Sequence, residues 1–90
     1  MLIWVGEPDY KMITAVEGTG DNLTDEDIKD GYIDYWMTSI YKQEGEEIVL
    51  EDGGQLLTST PIEDMDTDEQ VKRILDYWDI NNNNYSVLES

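Results

Sequence analysis

The chain has 90 residues, with 22 acidic and 5 basic side chains and no histidine, which gives a formal net charge of −17 at pH 7. This length fits one domain, residues 1–90, with a small core, and the negative surface argues against direct binding to DNA, RNA or anionic lipid. The absence of cysteine excludes disulfides, zinc fingers and thiol catalysis.

The first half of the chain predicts strands around one short helix. MLIWV and YKMITAVEG are apolar runs on either side of a Gly-Glu-Pro-Asp turn, which favours two strands. Thr24 is a candidate N-cap with Asp27 three residues later, so we expect one or two helical turns there. Residues 32–43 then have the strongest β composition in the chain.

Alternation within residues 32–43 divides the side chains between two faces of the predicted strand. One face holds Ile33, Tyr35, Met37, Ser39 and Tyr41, and the other holds Tyr32, Asp34, Trp36, Thr38, Ile40 and Lys42. Tyr32 and Trp36 either pack under a helix or, beside Asp34, serve as aromatic anchors in an interface.

The next segment predicts further strands. EGEE indicates a turn and IVLE a strand, and DGG is typical of a hairpin leading into QLLTSTPI. These strands and residues 32–43 would form a three-stranded meander. Pro61 ends the last strand or marks it as an edge.

The C-terminal helix has the clearest signals. Asp66 or Thr67 caps it, and Gln70 completes a capping box with Thr67. An apolar stripe with helical spacing follows: Val71, Ile74, Leu75 and Trp78. The NNNN segment ends the helix. The sequence therefore predicts a single α+β domain: a small antiparallel sheet of four to five strands, a short helical turn, and one C-terminal helix packed on one face.

Most carboxylates fall in three short runs at turns or helix starts. The runs are Asp21, Asp25, Glu26, Asp27 and Asp30; Glu44, Glu46, Glu47, Glu51 and Asp52; and Glu63, Asp64, Asp66, Asp68 and Glu69. Each acid taken singly is typical of a solvated loop or a helix N-terminus, where the dipole favours negative charge. The lack of basic residues to balance these acids is not typical, since a small domain usually has a net charge of magnitude about 2 to 8. The excess predicts that the negative field itself is functional.

An acidic protein can occupy a cleft that normally grips DNA by offering carboxylates in place of phosphates. Arginines of such a partner could also stack on aromatic rings. The predicted partner-binding residues are Asp25, Glu26, Asp27, Asp30, Asp34, Trp36, Glu46, Glu47, Glu63, Asp64, Asp66, Asp68 and Glu69.

Metal binding and catalysis are weaker interpretations. Two segments that begin at Asp64 and Asp79 lack the glycine and the final glutamate of an EF-hand loop. A pair of carboxylates could hydrolyse a glycosidic bond, but so small a domain has little room for a pocket that desolvates one of them. We therefore expect neither an enzyme nor a bound metal or cofactor.

The stretches DNLTDEDIKDGYIDY and DGGQLLTSTPIED resemble short acidic proteins carried by phages and conjugative elements of Firmicutes. Such elements encode anti-CRISPR and anti-restriction proteins, several of which are acidic DNA mimics. The resemblance, over residues 21–64, implies an inhibitor of a basic nucleic-acid-binding protein, either a Cas9-type effector with PAM-reading arginines or a restriction enzyme. It assigns no individual functional residue.

We expect the protein to act in the bacterial cytosol as a monomer or small homo-oligomer. No apolar run approaches the roughly 20 residues that span a bilayer, and no basic segment precedes MLIWVG. Two other functions stay open. One is a small acidic adaptor for a basic protein unrelated to defence, and the other is an inhibitor that acts through its aromatic face at an allosteric or dimerisation site.

Overall fold

The computed structural model describes residues 1–18 and 23–90. The strands form one antiparallel sheet of five strands in the order β4-β3-β2-β1-β5, which confirms the predicted small α+β fold. The elements are β1 (Leu2–Val5), β2 (Lys11–Glu17), α1 (Asp25–Lys29), β3 (Asp34–Glu44), β4 (Glu47–Thr58), a 3₁₀ turn (Ile62–Asp64), α2 (Thr67–Tyr77) and β5 (Tyr85–Glu89).

The core lies between α2 and one face of the sheet, which we call the helix side. Alternation along the strands turns one set of apolar residues toward α2, and the apolar stripe of the helix covers them. The buried core comprises Ile3, Val5, Ile13, Ala15, Trp36, Ile40, Leu56, Ile62, Met65, Val71, Ile74, Leu75 and Ile80. Trp78 is half-buried against this core, and its Nε1 donates a hydrogen bond of 3.1 Å to Thr38 Oγ1.

The predicted stripe of α2 is confirmed, and one of its two candidate N-caps is selected. Asp66 caps the helix, because its carboxylate accepts a hydrogen bond of 2.8 Å from the Glu69 backbone N–H. The predicted capping box between Thr67 and Gln70 is wrong. Gln70 Nε2 instead donates to the carbonyl of Met65 at 2.9 Å, which ties the helix to the turn before it.

The predicted hairpin at Asp52-Gly53-Gly54 is wrong, because β4 runs through these residues without a turn. Gly54 lies under α2, where a Cβ would displace the hydroxyl of the exposed side chain of Tyr77. A glycine inside a strand often marks such a close approach. The chain turns instead at Gly45, whose φ is +62°, between β3 and β4. The expected end of the strand before Pro61 is confirmed, since β4 ends at Thr58.

The fifth strand comes from a segment for which no element was predicted. β5 follows the NNNN segment and pairs with β1, so the helix is not the last element of the chain. Asn82 fixes this arrangement, because its side-chain amide donates to the carbonyls of Gly6 and Glu7 at 3.0 and 2.9 Å and to the Asp9 carboxylate at 3.0 Å. The asparagines therefore fasten the β1–β2 turn to the chain that leads into β5.

The cap of α2 yields a stability prediction. Replacing Asp66 by Ala removes the acceptor for the Glu69 N–H and should lower the free energy of unfolding by about 1 kcal/mol. Asp66→Asn should stay close to the parent protein, because asparagine caps equally well. Both variants lose one negative charge, so the difference between them in urea unfolding isolates the cap. Equal stability of the two variants would contradict this role.

Gly18 yields a second prediction. A Cβ at this position would overlap the ring of Tyr35, which is 1% exposed and cannot move aside without repacking. Gly18→Ala should therefore cost about 1–3 kcal/mol of unfolding free energy.

Gly53→Ala is the matched control, since its nearest atom would be Ser39 Oγ at 3.6 Å. It should leave stability unchanged or raise it by about 0.4–1 kcal/mol, because alanine restricts the unfolded chain. Thermal unfolding of the two variants compares them directly, and a Gly18 variant as stable as the control would refute the assigned overlap.

Candidate functional site

Whereas Glu51 and Asp52 lie within β4, most described acids of the three runs gather at the two ends of the sheet. We name them the α1 cluster (Asp25, Glu26, Asp27 and Asp30), the α2 cluster (Glu63, Asp64, Asp66, Asp68 and Glu69) and the hairpin cluster (Glu44, Glu46 and Glu47). The α1 and α2 clusters share the end where β3 begins and β4 ends. The hairpin cluster lies at the other end, about 33 Å away along β3 at 3.3 Å per residue. Asp21 lies outside the described residues.

Asp34 links the start of β3 to the 3₁₀ turn that carries part of the α2 cluster. One carboxylate oxygen accepts from the Tyr35 N–H at 2.9 Å, and the other accepts from the Ile62 N–H at 3.0 Å. This holds the 3₁₀ turn against the start of β3 and sets the position of the α2 cluster. Asp34 is half-buried and engaged in this way, so the structure gives it an internal role rather than the predicted contact with a partner.

Trp36 is a clear correction to the predicted site. Its side chain is 2% exposed and belongs to the core under α2, so it offers no surface to a partner. The alternation of residues 32–43 assigns it to the correct face, but only the helix packed on that face settles which of its two interpretations holds. Tyr32, on the loop before β3, remains half-buried.

The α1 cluster combines one structural acid with three free ones. Thr24 and Asp27 form the predicted capping box, with reciprocal hydrogen bonds of 3.1 Å between each side chain and the other residue's N–H. Asp25, Glu26 and Asp30 are exposed, and no hydrogen bond or ion pair engages their side chains within the described part of the chain. These three carboxylates are available to a partner.

The α2 cluster divides in the same way. Asp66 is the N-cap, and Glu69 pairs with Arg73 one turn later at 3.1 Å. Glu63, Asp64 and Asp68 are exposed, and their carboxylates have no partner among the described residues. The acids of this predicted run therefore have two roles. Asp66 and Glu69 stabilise the helix, and the others contribute only negative charge.

The hairpin cluster projects from the sheet. Glu46 and Glu47 are exposed at the tip, while Glu44 forms a loose ion pair of 3.5 Å with Lys42. Glu51, further along β4, pairs with Lys11 at 2.7 Å. Exposed ion pairs such as these contribute at most about 1 kcal/mol each, and they leave most of the negative charge uncompensated.

Charge is absent from one face of the four strands β1–β4. By alternation and register, every charged residue of β1–β4, all of whose residues are described, points to the helix side: Lys11, Glu17, Asp34, Lys42, Glu44, Glu47, Glu51 and Asp52. The irregularity opposite Ile40 and Tyr41 brings Glu51 and Asp52 to this same side. The opposite face, which we call the open face, presents only apolar and uncharged polar side chains from these strands. Glu89 of β5, which pairs with Leu2, adds one carboxylate at the edge of this face.

The open face was missed by sequence reasoning. It contains exposed or half-buried Trp4, Met12, Val16, Met37, Tyr41 and Leu50. The alternation of β3 alone was recognised, but the contribution of the other strands depends on their register, which the sequence does not specify. An available signal was the regular absence of charge at alternate positions of each strand.

Comparison with protein-family models, with curated proteins and with solved structures gave no match to this chain. Assignment of function therefore rests on the residues and their arrangement.

The chemistry available at the described surface is that of binding. No described Asp or Glu is buried, and no group of three or more potential ligand side chains in residues 1–18 and 23–90 is arranged to hold a metal ion. Surface depressions of 380 and 320 Å³ flank α2, one beside Glu63 and Gln70 and the other beside Lys72 and Asn82. Among the described helices, none has the length and apolar character needed to cross a membrane.

Proposed function

We propose that this chain is an inhibitor protein that binds the basic DNA-binding cleft of another protein in place of DNA. The observation that carries the proposal is the set of free, exposed carboxylates at both ends of one rigid sheet. They are Asp25, Glu26, Asp30, Glu46, Glu47, Glu63, Asp64 and Asp68. A surface that needed charge only for solubility would have more of it paired or mixed with bases.

The density of charge supports mimicry of a nucleic acid. The molecule measures 43 × 24 × 20 Å, so its net charge of −17 amounts to one negative charge per about 2.5 Å of length, against about 1.7 Å for duplex DNA. A cleft lined with lysines and arginines releases its bound anions when it binds either DNA or this protein. The protein can therefore compete for the same cleft without reproducing any base.

The partner class follows from the resemblance of residues 21–64 to small proteins of phages and conjugative elements. A Cas9-type effector is the first partner to test, since its arginines read the PAM and its channel holds a nucleic-acid duplex. A restriction enzyme is the second. Under this proposal the protein acts in the bacterial cytosol, where it reaches a guide-loaded effector before the target DNA does.

The proposal is for a binding protein that inhibits by occupancy, with no catalysis and no cofactor. No described carboxylate is buried in a pocket that would shield a reacting group from water, since every one of them is at least partly exposed. Charge steering would speed the encounter with a basic cleft and make the affinity depend strongly on salt.

The free acids of the α2 cluster provide the test. The variant Glu63→Gln/Asp64→Asn/Asp68→Asn removes three negative charges but keeps the Asp66 cap and the Glu69–Arg73 pair. We expect inhibition of a guide-loaded Cas9-type effector to weaken by more than about tenfold, or 1.4 kcal/mol, with a flatter dependence on salt. The measurement is competition with a PAM-containing duplex, followed by fluorescence polarisation.

Asp25→Asn/Glu26→Gln/Asp30→Asn is the matched control, because it removes the same charge from the neighbouring α1 cluster. A loss confined to one variant identifies the contacting cluster, and equal losses indicate the summed field. Inhibition as strong as that of the parent protein in both variants would end the mimicry proposal. Capture of a basic protein that excess DNA does not displace would favour the adaptor function.

A further inference from the structure

The open face has a ridged relief that the proposed inhibition does not use. Cross-strand register aligns a first row of large side chains: Trp4, Met12, Tyr41 and Leu50. The adjacent row begins at Leu2 and continues with small residues: Thr14, Ser39 and Gly53. The third row is large again: Val16, Met37 and Gln55. The face is therefore a ridge, a groove and a second ridge that cross β2, β3 and β4.

We infer that the open face binds a second copy of this chain, so that two sheets pack face to face. Adjacent rows on one face of a sheet lie about 6.6 Å apart, which is two residues. A two-fold axis parallel to the rows, midway between the first ridge and the groove, places the ridge of each copy over the groove of the other. This pair of rows is thus complementary to itself, as an interface of two-fold symmetry requires.

The distribution of charge favours the same occupant. A second copy also carries −17 and is repelled by any acidic surface, and in β1–β4 the open face is the side from which charge is excluded. Sheets that pack face to face lie about 10 Å apart, with the two α2 helices and their acids on the outer sides. A basic partner, in contrast, would meet a single strand carboxylate on this face, that of Glu89 at the β5 edge.

The size of the face suits a small dimer. At about 3.3 Å per residue and 4.8 Å between strands, the five strands cover roughly 600 Å² in projection, and a ridged surface has a larger accessible area. Specific interfaces bury about 800 Å² per partner. Apolar side chains form the centre and the acids of both ends form the rim, which is the usual arrangement of an interface.

The response to salt distinguishes association through the open face from binding through the acidic clusters. Between about 0.1 M and about 1 M salt the Debye length falls from about 10 to about 3 Å, which screens repulsion between the two copies. Self-association through the open face should therefore strengthen with salt, by at least about tenfold in Kd. Binding of a basic cleft weakens over the same range, so failure of either proposal leaves the other separately testable.

The first experiment is sedimentation equilibrium of the full chain, from low micromolar to near-millimolar concentration, at both salt concentrations. A monomer–dimer equilibrium that tightens with salt is expected. A monomer under all conditions, or a dimer that dissociates as salt rises, would overturn the inference.

Three variants then locate the interface. Met37→Glu places a charge on the second ridge, at a side chain that is 51% exposed, and should weaken the dimer by more than about tenfold, since the interface would bury a carboxylate without a partner. Ile28→Glu is the matched control, because Ile28 is 57% exposed but lies on α1, outside the face. It should leave the Kd unchanged.

Ser39→Tyr tests the groove without a charge and with a residue that favours strands. It fills the groove and should also weaken the dimer, whereas a face that associates only because it is apolar would associate more strongly. Stronger association of this variant would overturn the ridge-in-groove packing. Circular dichroism establishes whether each variant folds. If the Met37 variant does not fold, the Ser39 variant tests the interface.

Discussion

Repulsion among the carboxylates is the constraint on which this structure depends. A net charge of −17 on a body 43 Å long opposes folding, so the acids have to be spread widely and kept at the surface. The fold does this with an elongated sheet that has acidic clusters at its ends and the remaining charges of β1–β4 on the helix side. Burial of Trp36 and the α2 stripe against the sheet supplies the opposing hydrophobic stabilisation.

Several acids also offset the electrostatic repulsion by accepting hydrogen bonds. Asp27, Asp34 and Asp66 each accept from backbone N–H groups, which is where a carboxylate is most useful to the fold, at a helix start or a turn. Acids of this kind cannot be exchanged freely even where charge is in excess. The functional charge lies in their exposed neighbours, so a run of acids in the sequence mixes residues with structural and functional roles.

Local sequence signals correctly predicted those elements that depend on residues close together in the chain. The stripe of α2 and the capping box at Thr24 and Asp27 depend on residues at most seven positions apart, so they can be read from the sequence. The continuity of β4 could not be read in this way, because it depends on pairing of Asp52, Gly53 and Gly54 with β3. β5 was missed for the same reason, since it is defined by pairing with β1 and by the amide of Asn82.

The candidate site shows the same limit. Free carboxylates can be recognised by composition, but the burial of Trp36 and the exclusion of charge from the open face follow from register and packing. A sequence that segregates charge by face appears, when read linearly, to be simply rich in acids. Only the alternation of β1–β4, combined across the sheet, shows that these four strands present no charge on one side.

The strand order has a consequence for how the molecule opens. The pairs β1–β2 and β3–β4 close short turns, whereas β1–β5 joins the two extremes of the chain, and contacts of such long range form at the highest cost in loop entropy. All five residues of β5 are exposed, so little burial holds it in place. Unfolding therefore has a preferred starting point, at which β5 can leave β1 while α2 and the four remaining strands keep their core.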